Sequence, residues 1–172
     1  MIFVTVGTHE QQFDRLIRAV DELKRDGKIE DNIVVQTGYS TYIPEYCQWE
    51  KMFPYKKMQE MVSKAGIVIT HGGPSSFIMP LQIGKVPIVV PRKKEFGEHV
   101  NDHQEEFVRM VSERQGNIIP VYDIEDLEDK IRGYDSIVSG MSKEMQSNNA
   151  RFNEQLELIV DRITEKGRQR GK

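Results

Sequence analysis

The sequence contains one cysteine, Cys47, among its 172 residues. The chain therefore cannot form an internal disulfide, and its composition does not suggest an oxidising compartment. Long apolar runs are also absent. The apolar start Met1–Val4 lacks a basic leader and is far shorter than a signal-peptide core, and no segment approaches the roughly 20 residues of a membrane span. We expect a cytoplasmic protein that contacts a membrane only through a partner.

The chain also carries little excess charge. Its formal net charge is −3, with 38% apolar and 30% charged residues, which is typical of a soluble globular protein. Such a charge creates no broad positive field, so nucleic acid is not expected as a partner. The length fits a single domain with one hydrophobic core.

Apolar strand-like runs alternate with segments of helical periodicity, and glycines stand at many of the boundaries. This alternation predicts an α/β fold, a Rossmann-like doubly wound parallel sheet with helices on both faces. The predicted strands are Ile2–Val6, Ile33–Thr37, Cys47–Met52, Ile67–Thr70, Val86–Val90 and Asn117–Val121. Helices are predicted between Phe13 and Gly27, from Pro54 to Ala65, and over Ser75–Ile83, His99–Arg114 and Ile124–Ile131.

The domain is predicted to span residues 1–165. Apolar residues at helical spacing, among them Phe152, Leu156 and Ile159, predict that residues 141–165 form a long amphipathic helix. The basic residues 166–172 are predicted to be a disordered tail.

A glycine-rich turn, His71 to Ser76, joins a predicted strand to a predicted helix. Ligands of doubly wound sheets bind beyond the carboxyl ends of the strands, where a helix amino terminus attracts anions. Gly72 and Gly73 allow close approach of the backbone, Pro74 suits a first helical turn, and the hydroxyls of Ser75 and Ser76 are donors. The turn predicts a diphosphate site. The alternative is that its glycines serve only tight packing, since no established phosphate-binding motif is present.

A second loop, Gly7-Thr8-His9, follows the first predicted strand and is expected at the same edge of the sheet. Thr8 and His9 are predicted to reach a bound diphosphate or sugar, the alternative being a helix cap. His9 is also a candidate for proton transfer or for contact with a leaving group, because imidazole titrates near neutral pH.

The segment around Asn101, His103 and Gln104 is rich in groups that hydrogen-bond sugar hydroxyls. His99 and His103 are four residues apart, a spacing that would face both toward a metal on one helix. No third ligand is evident, so no metal site is predicted.

Several segments occur in the order in which they stand in a known family. They are Val4-Thr5-Val6-Gly7-Thr8-His9, Phe53-Pro54-Tyr55, Ile69-Thr70-His71-Gly72-Gly73-Pro74 and Asn101-Asp102-His103-Gln104. On these segments, and over roughly Met1–Ile163, the chain resembles the carboxyl-terminal, nucleotide-binding half of family 28 glycosyltransferases. It is most similar to the short two-component type, found in bacterial capsule and exopolysaccharide synthesis and as the soluble subunit of the eukaryotic dolichol-pathway UDP-N-acetylglucosamine transferase.

This resemblance implies one half of a GT-B architecture. The chain would bind a UDP-sugar as a substrate, without a cofactor, and a membrane-attached partner would bind a lipid-diphosphate acceptor. It further implies that Gly7, Thr8 and the turn from His71 to Ser76 contact the diphosphate, that Phe53 and Tyr55 lie near the uracil, and that Asn101, His103 and Gln104 contact the donor sugar. Many relatives have a ribose-binding glutamate eight residues after the position of His71, where this sequence has Met79.

Two other functions fit the sequence. The chain is either a non-catalytic enhancer that stabilises a weakly active glycosyltransferase partner, an alternative that Met79 favours, or an unrelated nucleotide-binding α/β protein that shares only the turn. Preference for an adenine or nicotinamide nucleotide over UDP would select the latter.

Overall fold

The computed structural model describes residues 1–141. Within this range, six short strands alternate with helices. The strands are β1 (Ile2–Thr5), β2 (Ile33–Gln36), β3 (Gln48–Glu50), β4 (Ile67–His71), β5 (Ile88–Val90) and β6 (Ile119–Pro120). The helices are α1 (Asp14–Arg25), α2 (Tyr55–Lys64), α3 (Pro74–Gln82), α4 (His103–Gln115), α5 (Leu127–Arg132) and α6 (Tyr134–Gly140), with 3-10 turns at Lys94–Phe96 and Ile124–Asp126.

The six strands form one parallel sheet in the order β3-β2-β1-β4-β5-β6. Val4 of β1 pairs with Val35 on one side and with Ile69 on the other. The direction of winding therefore reverses between β1 and β4, and the crevice beyond their carboxyl ends is the usual ligand position in such sheets. The predicted doubly wound parallel fold is confirmed.

Alternate residues of each strand point to opposite faces of the sheet, and both faces are covered. On one face the sheet packs against α1, α5 and α6, in a cluster that includes Val4, Ile69 and Leu16. On the other face Phe3 and Val68 pack against α2, while Val89 packs against α3 and α4. Burial on both faces explains why the strands are nearly continuous apolar runs.

Two predictions of helices were wrong in detail. Helix α4 begins at His103, not at His99, because the side chains of Glu98 and Asp102 accept the backbone N–H groups of Lys93 and Lys94 and so keep this segment in a loop. Helix α6 was not predicted, since the last short helix was expected to end at Ile131. Gly133 has φ −85°, and Ile137 donates to its carbonyl, so the chain continues into α6.

The predicted amphipathic helix at residues 141–165 falls almost wholly outside the described residues, as does the predicted tail at 166–172. No helix within residues 1–141 is long and apolar enough to cross a bilayer.

Candidate functional site

The carboxyl end of β1 is tied to its neighbours by the side chain of Gln36. The Gln36 amide nitrogen donates to the carbonyl of Gly7 and to the hydroxyl of Thr5, both at 3.3 Å. Its amide oxygen accepts the backbone N–H of Phe53 at 3.1 Å. This buried side chain thereby fixes the loop after β1 relative to the segment that precedes α2.

His71, the last residue of β4, lies between two glycines. A Cβ atom at Gly7 would stand 2.3 Å from His71 Nε2, and one at Gly73 would stand 2.3 Å from Cε1 of the same ring. Gly7 also has φ +76°, which side chains rarely adopt. Because neither glycine has a side chain, the imidazole fits between the loop after β1 and the turn after β4 and packs against both.

The hydrogen bonds of His71 identify its tautomer. Its Nδ1 accepts the backbone N–H of Gly73 at 3.0 Å, so the proton of the neutral ring is on Nε2. Nε2 lies 2.6 Å from the Ser76 hydroxyl and donates to it. The hydrogen of the Ser76 hydroxyl is therefore left available for a ligand.

Burial lowers the pKa of His71 from its ordinary value of 6.5 to about 4, and the charge of Arg92 acts in the same direction. Between pH 6.5 and about 4 the unfolded chain therefore binds a proton at His71 that the folded protein does not. The contribution of His71 to the free energy of unfolding is therefore complete above pH 6.5. It decreases by about 1.4 kcal/mol for each pH unit as the pH falls from 6.5 toward 4. At neutral pH the imidazole is uncharged, so His71 shapes the site and does not neutralise an anion.

We predict that replacing His71 by asparagine, whose side-chain oxygen can still accept the Gly73 N–H, removes about 1 kcal/mol per pH unit from the pH dependence between 6.5 and 4.5. Urea denaturation of both proteins across this range measures the two slopes. Parallel slopes would contradict the assignment of a depressed pKa to His71.

The amino terminus of α3 presents donors at the edge of the sheet. Pro74 has no N–H, and the Gly73 N–H is used by His71. The Ser75 N–H makes no hydrogen bond to any residue of the described range. Together with the hydroxyls of Ser75 and Ser76, it gives three donors where the positive end of the helix dipole favours an anion.

One side of this helix end opens into a cavity of about 680 Å³, a size typical of small-molecule sites. We call it the β1–α3 cavity. Among the predicted site residues it brings together Gly7, Thr8, His9, Phe53, Tyr55, His71, Ser75, Ser76 and Met79, and it is further lined by Thr5, Gln36, Met58, Val62, Ile78 and Gln82.

The β1–α3 cavity has an apolar wall and no charged side chain among the described residues that line it. Met79 packs with Phe53 and Met58 against the cluster that contains Phe3. A thioether is only a weak hydrogen-bond acceptor. The position that the resemblance associates with ribose binding therefore belongs to the apolar wall.

The other side of the turn opens into a second cavity of about 550 Å³, which we call the α3–α4 cavity. Gly72, Gly73 and Pro74 line it together with His103 and Gln104 of α4, and the remaining wall is formed by His99, Glu106, Phe107 and Met110. The amide oxygen of Gln104 accepts the backbone N–H of Arg92 at 3.2 Å.

His9 and His99 lie where the two cavities meet. Their ring centroids are 4.9 Å apart, with His9 lining one cavity and His99 lining the other. His9 Nδ1 accepts the backbone N–H of Gln11 at 3.1 Å, so the neutral ring carries its proton on Nε2. Burial lowers the pKa of His9, and the charge of Arg92 adds to this effect. His9 is thus arranged as a neutral donor.

Asn101 lines neither cavity. Its side-chain oxygen accepts the N–H of His103 at 3.3 Å, at the start of α4. His99 lies in the loop before this helix, so the two histidines do not share a helical face as their spacing suggested. Within residues 1–141 there is no group of three or more His, Cys, Asp or Glu side chains placed to hold a metal ion.

A buried ionic cluster beneath the site was not predicted. Arg92 and Glu98 are both fully buried. Arg15 binds the Glu98 carboxylate through two nitrogens, each at 2.9 Å, and Arg92 donates to Val6 O at 2.8 Å. The only sequence signal was an arginine two positions after a buried strand, and its place in a charged loop gave no reason to expect it inside the protein.

The family comparison covers nearly the whole chain. A model of the glycosyltransferase family 28 C-terminal domain matches residues 1–163. Among curated proteins, the human UDP-N-acetylglucosamine transferase subunit ALG13 is 34% identical in a match that covers 64% of this chain and 10% of that protein. The chain therefore spans only a small part of the length of this relative.

Solved glycosyltransferases share the fold. The glycosyltransferase SnogD from Streptomyces nogalater superposes with a TM-score of 0.57 at 16% identity, over 91% of this chain and 39% of that one. The calicheamicin glycosyltransferase CalG4 superposes with a TM-score of 0.55 at 14% identity, over 94% and 43%. These likenesses confirm the Rossmann-like fold of one GT-B half and, at such identities, show the fold alone.

Proposed function

The chain belongs to the family of the glycosyltransferase family 28 C-terminal domain, and we propose that it is the UDP-sugar-binding subunit of a two-component inverting glycosyltransferase. One observation carries the proposal. The loop Gly7-Thr8-His9 and the turn from His71 to Ser76 meet at the switch point of the sheet, between two cavities. A nucleotide diphosphate-sugar has this tripartite form, with an anionic centre and a different group at each end.

The diphosphate is assigned to the amino terminus of α3. The Ser75 N–H, the two serine hydroxyls and the dipole of the helix all favour an anion there. Gly7 and Gly73 allow the backbone to approach closely, because a side chain at either position would collide with His71.

The nucleoside is assigned to the β1–α3 cavity and the sugar to the α3–α4 cavity. The rings of Phe53 and Tyr55 line the former and suit contact with a flat base. The amide of Gln104 and the imidazole of His103 line the latter and suit hydrogen bonds to sugar hydroxyls. Asn101 enters the proposal only as the residue whose side-chain oxygen accepts the N–H of His103 at the start of α4.

In the proposed reaction an acceptor hydroxyl attacks the anomeric carbon of the donor sugar. The bond from that carbon to the diphosphate oxygen breaks, and its electron pair leaves with UDP. The end of α3 and its serine hydroxyls stabilise the charge that develops on UDP, so the proposal includes no metal and no cofactor. His9 donates a hydrogen bond from Nε2 to the leaving group, and a base on the partner takes the proton of the acceptor.

The proposed partner is a membrane-attached, acceptor-binding glycosyltransferase subunit. The human relative is named as a subunit of a UDP-N-acetylglucosamine transferase, which supports assembly with a second chain. We propose a lipid-diphosphate-linked acceptor of capsule or exopolysaccharide synthesis, met at the cytoplasmic face of the membrane.

A second candidate function is favoured by Met79 and by the uncharged lining of the β1–α3 cavity. Without a strong acceptor for the ribose hydroxyls, the isolated chain would bind the donor weakly and act as a non-catalytic enhancer that stabilises its partner. Turnover that requires both chains favours the donor-binding subunit, whereas slow turnover by the partner alone favours the enhancer.

Calorimetric titration of UDP and several UDP-sugars into the full chain tests the site. We expect that the double variant Ser75→Ala, Ser76→Ala weakens UDP binding by at least about tenfold, because each hydroxyl donates to a charged acceptor. The matched control is Ser63→Ala, Ser136→Ala, which changes two exposed helical serines outside both cavities and is expected to bind UDP as the unchanged protein does.

Equal losses of affinity in the two double variants would refute the assignment of the diphosphate to α3. If the unchanged chain does not bind UDP, the titration is repeated with the partner present. UDP binding that appears only when the partner is present supports the enhancer function. If UDP binds in neither experiment, the result contradicts a donor-binding role.

A further inference from the structure

Arg92 is fully buried, yet no carboxylate accepts a hydrogen bond from its guanidinium within the described residues. One terminal nitrogen donates to the carbonyls of Gln11, Gln12 and Glu98 at 2.9 to 3.1 Å, and the other donates to the carbonyl of Val6 at 2.8 Å. The ring of Phe13 lies 4.8 Å from the guanidinium carbon. All these partners are neutral, so they solvate the charge without cancelling it.

The nearest acid is already neutralised by another base. Glu98 contacts Arg92 through its backbone carbonyl, whereas its carboxylate forms two hydrogen bonds with Arg15 at 2.9 Å and accepts the Lys93 N–H at 3.0 Å. The cluster of Arg15, Glu98 and Arg92 therefore carries one net positive charge. An unbalanced charge is costly inside a protein, and an anion bound nearby would offset it.

The position of Arg92 connects this charge to the proposed diphosphate site. Three of its four carbonyl partners belong to Val6, Gln11 and Gln12, which flank the loop that carries Gly7, Thr8 and His9. The charge of Arg92 also acts on residues of the site, since it adds to the effect of burial in lowering the pKa of both His9 and His71. The β1–α3 cavity itself has no charged side chain among its described lining residues.

We propose that Arg92 is a positioning residue that supplies the positive potential of the diphosphate site from beneath it, and that this potential makes the site prefer the more highly charged nucleotide. The proposal rests on the assignment of UDP to this site. Arg92 lines neither cavity. It acts through the carbonyls of the loop after β1 and through the field of a charge that solvent does not screen.

Titration of UDP, UMP and uridine into the full-length protein separates a role of charge from a role of shape. In Arg92→Met we expect UDP affinity to fall by about tenfold or more, UMP affinity to fall less, and uridine affinity to change by less than twofold. Arg92→Lys keeps the charge and is expected to retain most of the preference for UDP over UMP. An equal loss for all three ligands in Arg92→Met would overturn the proposal.

If Arg92→Met folds poorly, a second variant still tests the proposal. Glu98→Gln removes a buried negative charge beside the same site, so we expect it to increase the ratio of UDP to UMP affinity even if it lowers stability. A merely structural role of the cluster would leave that ratio unchanged or lower it, and either result would overturn the proposal.

The pKa of His9, measured by NMR in the ligand-free protein, does not depend on whether UDP binds. The charged groups that act on His9 are Arg92, His99 and Glu10. We expect the pKa of His9 to rise in Arg92→Met, to stay low in Arg92→Lys and to fall further in Glu98→Gln. An unchanged pKa in Arg92→Met would overturn the proposal. A shifted pKa in a protein that does not bind UDP would instead refute only the assignment of the nucleotide.

Discussion

Replacing Gly73 by alanine is expected to remove measurable UDP binding and to lower the free energy of unfolding by about 3 kcal/mol. The added Cβ would stand 2.3 Å from Cε1 of His71 and 2.9 Å from its Nδ1. The ring has little room to shift, because it also lies close to Gly7, where a Cβ would stand 2.3 Å from Nε2. The backbone at Gly73, with φ −73° and ψ 131°, is acceptable for alanine, so the expected loss is due to steric overlap alone.

Urea denaturation and calorimetric titration of Gly73→Ala measure both effects. Gly140→Ala is the matched control, since no described residue lies within 4 Å of the added carbon, and it is expected to behave as the unchanged protein. If the overlap with the imidazole is the cause, combining Gly73→Ala with His71→Ala should destabilise the protein by less than the sum of the single changes. Strict additivity would show that His71 does not cause the loss.

Replacing Arg92 by methionine is expected to lower the free energy of unfolding by about 3 to 5 kcal/mol. Methionine keeps much of the volume but leaves the carbonyls of Val6, Gln11, Gln12 and Glu98 without the donor that now reaches them. A loss of this size is a large part of the stability of a typical domain.

The midpoint and slope of urea unfolding, followed by circular dichroism, measure this effect. Arg132→Met provides the control: its side chain is exposed and pairs with Glu128 at the surface, where such a pair contributes at most about 1 kcal/mol. Comparable losses in the two variants would show that burial of Arg92 is not the source of its contribution.

The prediction of the fold from sequence succeeded wherever the signal was local. The apolar runs around Val4, Ile69 and Val89 identified strands covered on both faces, and the glycines after Val6 and His71 identified the loops at the edge of the sheet. Prediction failed at the start of α4, because the loop from Glu98 to Asp102 is stabilised by side chains that accept backbone N–H groups of Lys93 and Lys94.

Part of the candidate site was predicted as well, because its signals in the sequence were also local. Residues of the two glycine-containing loops were predicted from their place at strand ends, and the structure brings them together in the β1–α3 cavity. The part played by Gln36 was missed, because a glutamine at the end of an apolar strand has no local feature that distinguishes it. Its three partners, Thr5, Gly7 and Phe53, belong to other segments.

The sequence by itself determined the order of the six strands and of all helices except α6, the parallel sheet and the glycine-containing loops at the strand ends, because periodicity and turn chemistry act between near neighbours in the chain. Only the tertiary structure decided which loops meet, that His71 is fixed between Gly7 and Gly73, and that the charge of Arg92 lies beneath them. Arg92 and Val6 are 86 positions apart, and Arg15 and Glu98 are 83 apart. Contacts of this kind exist only after the sheet has assembled in its final strand order, since that order brings the ends of β1, β4 and β5 side by side.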